Sequence, residues 1–148
     1  MSADRLADSR PDDGAPRVIV VLAAVIERDG RFLLTRRLAG THLSGLWEFP
    51  GGKCEAGETH EECLRRELTE ELGVRSTVGA ELMTVEHPYP DRIVRLHFRR
   101  CEIHGDPAPL LGQEMKWATR SDLATLEFPP ADVDLIALLR AGTEAKTT

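Results

Sequence analysis

Between Thr59 and Gly73 the chain marks both ends of one helix. Thr59 and Glu62 stand in the T-x-x-E spacing of a capping box, and Gly73 supplies the residue that leaves a helix through left-handed backbone. Leu64, Leu68 and Leu72 recur every four residues and give the helix one apolar face. Three acids, Glu67, Glu70 and Glu71, sit at i, i+3 and i+4. On a helix they fall within an arc of about 100°. Like charges at that spacing repel by a few tenths of a kcal/mol per pair. A divalent cation offsets this repulsion, and carboxylate oxygens with room for water suit Mg²⁺, with Mn²⁺ as a substitute. Gly51 and Gly52 precede the helix and let backbone approach a ligand closely. Arg66 is placed to hold Glu67 by a forked hydrogen bond, and Glu58 lies where the helix dipole favours a carboxylate. A loop–helix platform of this kind is equipped to grip polyphosphate and to activate water. The bland reading is a solvated acidic face on an amphipathic helix.

The rest of the chain alternates strand and turn signals around this helix. Val18 to Glu27 is a β-branched apolar run suited to a strand buried on both faces. Asp29-Gly30 signals a hairpin, and Phe32 to Arg37 returns as its partner. Residues 39–53, rich in Gly and Pro, read as a loop. Val78 to Glu86 is a weaker strand and residues 87–92 a turn. From Ile93 to Ile103, Val94, Leu96 and Phe98 alternate with Arg95, His97 and Arg99. Met115 to Ala118 reads as a short strand, and Ser121 as the cap of a helical turn. Asp132 to Arg140 closes as a helix that buries Val133, Leu135, Ile136 and Leu139. This order predicts an α+β arrangement, a mixed sheet with helices on its faces. Residues 1–16 read as a disordered arm, 17–141 as the folded domain and 142–148 as a frayed tail.

Charge and cysteine usage narrow the class. The 148 residues carry 19 basic and 25 acidic side chains, for a net charge of −6. That argues against a nucleic-acid polymer as partner and leaves a small anionic ligand held by local cations. No apolar run reaches the roughly 20 residues needed to span a bilayer, so no membrane partner is expected. The N-terminus lacks the apolar core of a secretory signal. Cys54, Cys63 and Cys101 are odd in number and lack CxxC spacing. We read them as unpaired and the protein as cytoplasmic. Cys63 is read as a small buried hydrophobe.

Gly52, five residues, Glu58, seven residues and Arg66-Glu67-Leu68-x-Glu70-Glu71-x-Gly73-Val74 match the Nudix box at every fixed position. The chain resembles the Nudix hydrolases, and within them the MutT-like nucleoside triphosphate pyrophosphohydrolases, from about Val18 to Leu139. The resemblance implies the Nudix fold, an α/β/α sandwich around a mixed sheet. It also implies metal-dependent hydrolysis of a nucleoside triphosphate to the monophosphate and pyrophosphate, by a monomer or homodimer. It assigns Gly51, Glu67, Glu70 and Glu71 to the metal, Glu67 to the general base and Arg66 to its orientation, with Glu70 grouped among the catalytic acids.

Outside the box, Thr35-Arg36-Arg37 is similar to a TRR segment whose second Arg, here Arg37, binds phosphate. His42 falls where a substrate-contacting His lies. Trp47-Glu48-Phe49-Pro50-Gly51-Gly52-Lys53 resembles the segment that lines the nucleotide pocket. Arg92, in Pro90-Asp91-Arg92, falls near the base. Asp132 ends a segment, Phe128-Pro129-Pro130-Ala131-Asp132, that resembles one whose final Asn reads the base.

Two departures bear on substrate. An ionised Asp only accepts hydrogen bonds and favours an exocyclic amine, as in guanine or cytosine; a protonated Asp offers the dual role of Asn. Related triphosphatases acting on cytidine nucleotides also carry Asp here. Leu111 occupies the place of a further metal-site acid, with Glu114 nearby as a stand-in. The leading expectation is a Mg²⁺-dependent enzyme acting on 8-oxo-dGTP or a similar oxidised purine. The first rival is a CTP, dCTP or modified pyrimidine triphosphate pyrophosphohydrolase, and the second a non-catalytic nucleotide-binding module. His60, His87, His97 and His104 read as surface or structural residues.

Overall fold

A computed structural model describes residues 17–36 and 45–142. Arg37, His42, the arm over 1–16 and the tail over 143–148 lie outside the described residues. The described chain forms seven strands: β1 (Arg17–Arg28), β2 (Arg31–Arg36), β3 (Trp47–Glu48), β4 (Gly51–Lys53), β5 (Arg75–Tyr89), β6 (Arg92–His104) and β7 (Glu114–Thr119). Two α-helices, α1 (His60–Leu72) and α2 (Val133–Ala141), pack with them.

The sheet is mixed and runs β3-β2-β1-β6-β5, with β4 paired to β1 and β7 to β2. β1 lies parallel to β6 from Arg17↔Arg92 to Ile26↔Cys101, while β5 and β6 form a long antiparallel hairpin. β1 serves both faces. Leu22, Ala24 and Ile26 join Leu64, Leu68 and Leu72 under α1. Ala23 and Val25 join Phe32, Phe98, Leu135 and Leu139 on the α2 side. This is the α+β sandwich expected from the element order.

Local chemistry fixes the elements. Asp29 and Gly30 both take positive φ, 56° and 76°, as a two-residue hairpin turn requires. In α1 the capping box closes in both directions: Glu62 N–H donates to the Thr59 hydroxyl and Thr59 N–H to the Glu62 carboxylate, each at 3.0 Å. Gly73 ends the helix at φ 69°.

Several expectations are corrected. The loop over 39–53 contains β3 and β4, two- and three-residue strands held by their ladders to β2 and β1 despite the Gly and Pro around them. β5 continues through His87 to Tyr89, where a turn was expected; it is an edge strand, so Pro88 costs it no ladder. Ser121 makes no side-chain cap; the Asp122 carboxylate accepts from Thr119 N–H instead, at 3.0 Å. Val133 is 60% exposed, because it lies about 160° around the helix from buried Leu135.

The cysteine reading is also overturned. Cys54 and Cys63 form a disulfide with their Cα atoms 5.2 Å apart. Cys54 N–H donates to Val20 O at 3.0 Å, which fixes the chain after β4, and the loop returns directly into α1 opposite it. No simple spacing motif encodes that proximity. With this pair joined, cysteine usage no longer points to a reducing compartment. Cys101 is unpaired and buried. Among the described residues no helix is long and apolar enough to cross a membrane.

Candidate active site

Arg66 organises the acidic end of α1. Its Nε donates to Glu58 at 2.6 Å and its NH2 to the other Glu58 oxygen at 3.0 Å, a complete fork. NH1 reaches Glu67 at 3.1 Å and Glu70 at 3.3 Å, and NH2 also donates to Lys53 O at 3.1 Å. One guanidinium therefore ties the loop before the helix to two of the three acids. The Glu58 hydrogen bonds and the surrounding carboxylates keep Arg66 fully charged, and the same fork holds Glu58 below the usual carboxylate range.

Glu67 and Glu71 face each other one turn apart and share a hydrogen bond. Burial, then that hydrogen bond and the charges of Glu67 and Glu48, push Glu71 up to about 9, while Gly51 N–H donates to it. Glu70 differs: its side chain is 56% exposed and turned toward Arg66. The structure thus gathers Glu67, Glu71, Glu48 and Gly51 at one place and leaves Glu70 at its rim. Glu114, the candidate substitute for an acid at Leu111, is engaged by Arg36 at 3.1 Å on β2. Leu111 is 56% exposed, and its N–H is held by Gln113, which in turn donates to Glu71 O.

The glycines shape the cradle. A Cβ on Gly52 would collide with the Glu67 carboxylate, and one on Gly51 would run into Leu22 O. The carboxylate thus sits directly against bare backbone. Clustered carboxylates beside an open backbone cradle are the donor set for a hard divalent cation, so these residues fit Mg²⁺ or Mn²⁺.

A cleft of about 430 Å³ opens beside this cradle. Gly51, Gly52, Glu48, Phe49, Arg92 and Asp132 line it, bringing together most of the expected substrate residues. Pro50 is buried just behind, its carbonyl accepting from Ala24 N–H at 2.7 Å. Phe49 stacks on Phe128 at 5.9 Å and meets Phe98 edge-on at 6.1 Å. Asp132 is only 5% exposed. Arg92 lies over the Tyr89 ring at 4.5 Å and bonds Asp91 at 3.1 Å. Tyr89, Val94, Leu96 and Phe98 also line the cleft. Sequence reasoning missed that wall as a site, although the alternation along β6 already placed its three apolar residues on one face.

With this geometry in place, the similarities to known proteins are specific. A family model described as NUDIX domain matches residues 21–138. The chain is 37% identical over 131 residues to a CTP pyrophosphohydrolase of Escherichia coli, covering 88% of this chain and 97% of that one. It is 40% identical over 123 residues to an 8-oxo-dGTP diphosphatase of Haemophilus influenzae, covering 81% and 90%. The solution structure of the E. coli ORF135 protein superposes with a TM-score of 0.80 at 36% identity, covering 90% of this chain and 96% of that one. The chain belongs to the Nudix family and is a Nudix hydrolase of nucleotides.

Proposed function

We propose that this enzyme hydrolyses nucleoside triphosphates to the monophosphate and pyrophosphate, and that it needs a divalent cation, Mg²⁺ or Mn²⁺, to do so. The observation that carries the reading is the juxtaposition of the Glu67–Glu71 pair and the Gly51–Gly52 cradle with an aromatic, half-apolar cleft. Gly51, Glu67, Glu70 and Glu71 would hold the cation, which when bound neutralises the phosphate charge and orients the diphosphate link. Glu67 accepts the proton of the attacking water, and Arg66 keeps its carboxylate aimed. Phe49 belongs to the apolar wall against which the base rests, Glu48 lines the cleft with Pro50 buried behind it, and Arg92 covers the rim. Arg37 and His42 are proposed to contact the phosphates and substrate.

For the base we place cytidine triphosphates first. As a carboxylate, Asp132 accepts hydrogen bonds and donates none, which selects an exocyclic amine such as N4 of cytosine. The E. coli relative named CTP pyrophosphohydrolase supports that order. The second reading is 8-oxo-dGTP, whose 2-amino group presents the same donor and which the Haemophilus relative's name supports. A kinetic panel of CTP, dCTP, 8-oxo-dGTP, dGTP and UTP in ¹⁸O-water tests both. UTP turned over as fast as CTP and 8-oxo-dGTP would remove the role given to Asp132. Label in neither NMP nor pyrophosphate would remove the reaction. In Glu70→Gln, kcat should fall about 10²-fold or more with the fold intact; unchanged turnover excludes the metal assignment.

A further inference from the structure

We propose that His60, Glu81 and His97 form a second metal site, separate from the box acids, that takes a borderline transition ion such as Zn²⁺. His60 is the first residue of α1, Glu81 sits on β5 and His97 on β6. One ligand atom from each lies within 4.8 Å of the other two. The two imidazole rings meet at 4.4 Å, and His97 Nδ1 is 2.8 Å from Glu81 Oε1.

Three features set this group apart from a chance surface cluster. The β5–β6 ladder shifts register on both sides of Glu81, between Val78 and Glu81 and between Glu81 and Met83. Such irregularities re-aim side chains, and here the carboxylate is aimed at His97. Thr84 then donates to the second Glu81 oxygen at 2.7 Å, as outer partners of metal-bound carboxylates do. Finally, the His97 side chain is only 13% exposed, so the imidazole that would bind is already held in place. Arg99, whose charge acts on His60, is occupied by Gly79 O at 2.7 and 3.0 Å.

Two imidazoles and one carboxylate with a fourth position left to water are a donor set for Zn²⁺. Mg²⁺ prefers an all-oxygen shell and would pass this site by. The site is distinct from the nucleotide cleft. Val94, Leu96 and Phe98 line that cleft, whereas His97 lies on the opposite face of β6. His60 precedes Glu67 by two helical turns, about 10 Å along the axis. A bound ion would clamp the start of the catalytic helix to the β5–β6 hairpin.

The test is Zn²⁺ titration of chelator-stripped enzyme in saturating Mg²⁺, followed by calorimetry and thermal melting. One Zn²⁺ should bind and raise Tm by about 5 °C or more at a large excess over Kd. His60→Ala/His97→Ala should abolish both effects, and Thr84→Val should weaken binding about 10- to 100-fold. Glu70→Gln, altered only at the box, should bind Zn²⁺ as the parent does. Glu81→Gln, which keeps the shape of the side chain, should give the same loss and serves if the double variant does not fold. Co²⁺ in place of Zn²⁺ should give the visible spectrum of a four-coordinate ion. No Zn²⁺ uptake by the parent, or uptake unchanged in Glu81→Gln and lost in Glu70→Gln, overturns the proposal.

Discussion

Arg66 grips Glu58 with both arms of its guanidinium, at 2.6 and 3.0 Å, across eight residues of chain. The Glu58 side chain is 15% exposed and that of Arg66 24%, so the pair is more sheltered than an ordinary surface bridge. Glu58→Gln should lower stability by about 1 kcal/mol, the upper end for an ion pair of this kind. It should also lower kcat, since the same guanidinium aims Glu67. The pH dependence has a definite sign. Arg66 holds Glu58 below the usual carboxylate range. The stabilisation is therefore complete above the ordinary Glu pKa and is lost as pH falls through the lower folded value. Acid melts of parent and Glu58→Gln should converge at the low end; parallel curves would refute the assignment.

The two box glycines should fail in different ways. At Gly51 a Cβ meets Leu22 backbone, and φ is +156°. Gly51→Ala should cost about 3 kcal/mol or more in stability. At Gly52 the atoms nearest a Cβ are the end of the Glu67 side chain. Gly52→Ala should stay folded and lose about 10²-fold in kcat through the displaced carboxylate. Denaturant melts beside steady-state kinetics separate the two, and a Gly52→Ala enzyme with parental kcat would show that Glu67 need not stay there.

Asp132→Asn should relax base choice. The buried carboxylate becomes a group that both donates and accepts, so the CTP-to-UTP ratio of kcat/KM should fall about 10-fold or more. An unchanged ratio would mean that Asp132 does not read the base.

Cys101 should be chemically silent in the native protein. It is 5% exposed, and burial pushes its thiol up to about 12 from an ordinary 9.0. Thiol reagents at neutral pH should label it only after unfolding. Since the unfolded thiol ionises first, its contribution to stability should be full below pH 9 and drain away as pH rises toward about 12. Rapid native labelling would contradict the packing around it.

Much of this architecture was legible because local chemistry wrote it. The Thr59–Glu62 box, the Gly73 exit and the Asp29-Gly30 turn depend on residues within one turn of each other, and all three form. The spacing of Arg66, Glu67, Glu70 and Glu71 was legible for the same reason. What stayed hidden depends on distant chain. β3 and β4 exist only because β2 and β1 offer them ladders. Cys54, which follows β4 on its pairing with β1, lies opposite Cys63 of α1. His60, His97 and Glu81 come from three elements, and the ladder irregularity on both sides of Glu81 leaves no mark in hydrophobic periodicity.

The parallel pairing of β1 with β6 has a consequence for how the molecule is made. Its partners, from Arg17↔Arg92 to Ile26↔Cys101, enclose the Gly51–Gly52 cradle and the acid-bearing helix within the intervening chain. That is a high-contact-order closure, costly in entropy before any contact rewards it. During synthesis the box segment leaves the ribosome well before the strand that completes its floor. A nascent chain halted ahead of β6 would carry every box acid and still lack a site to put them in.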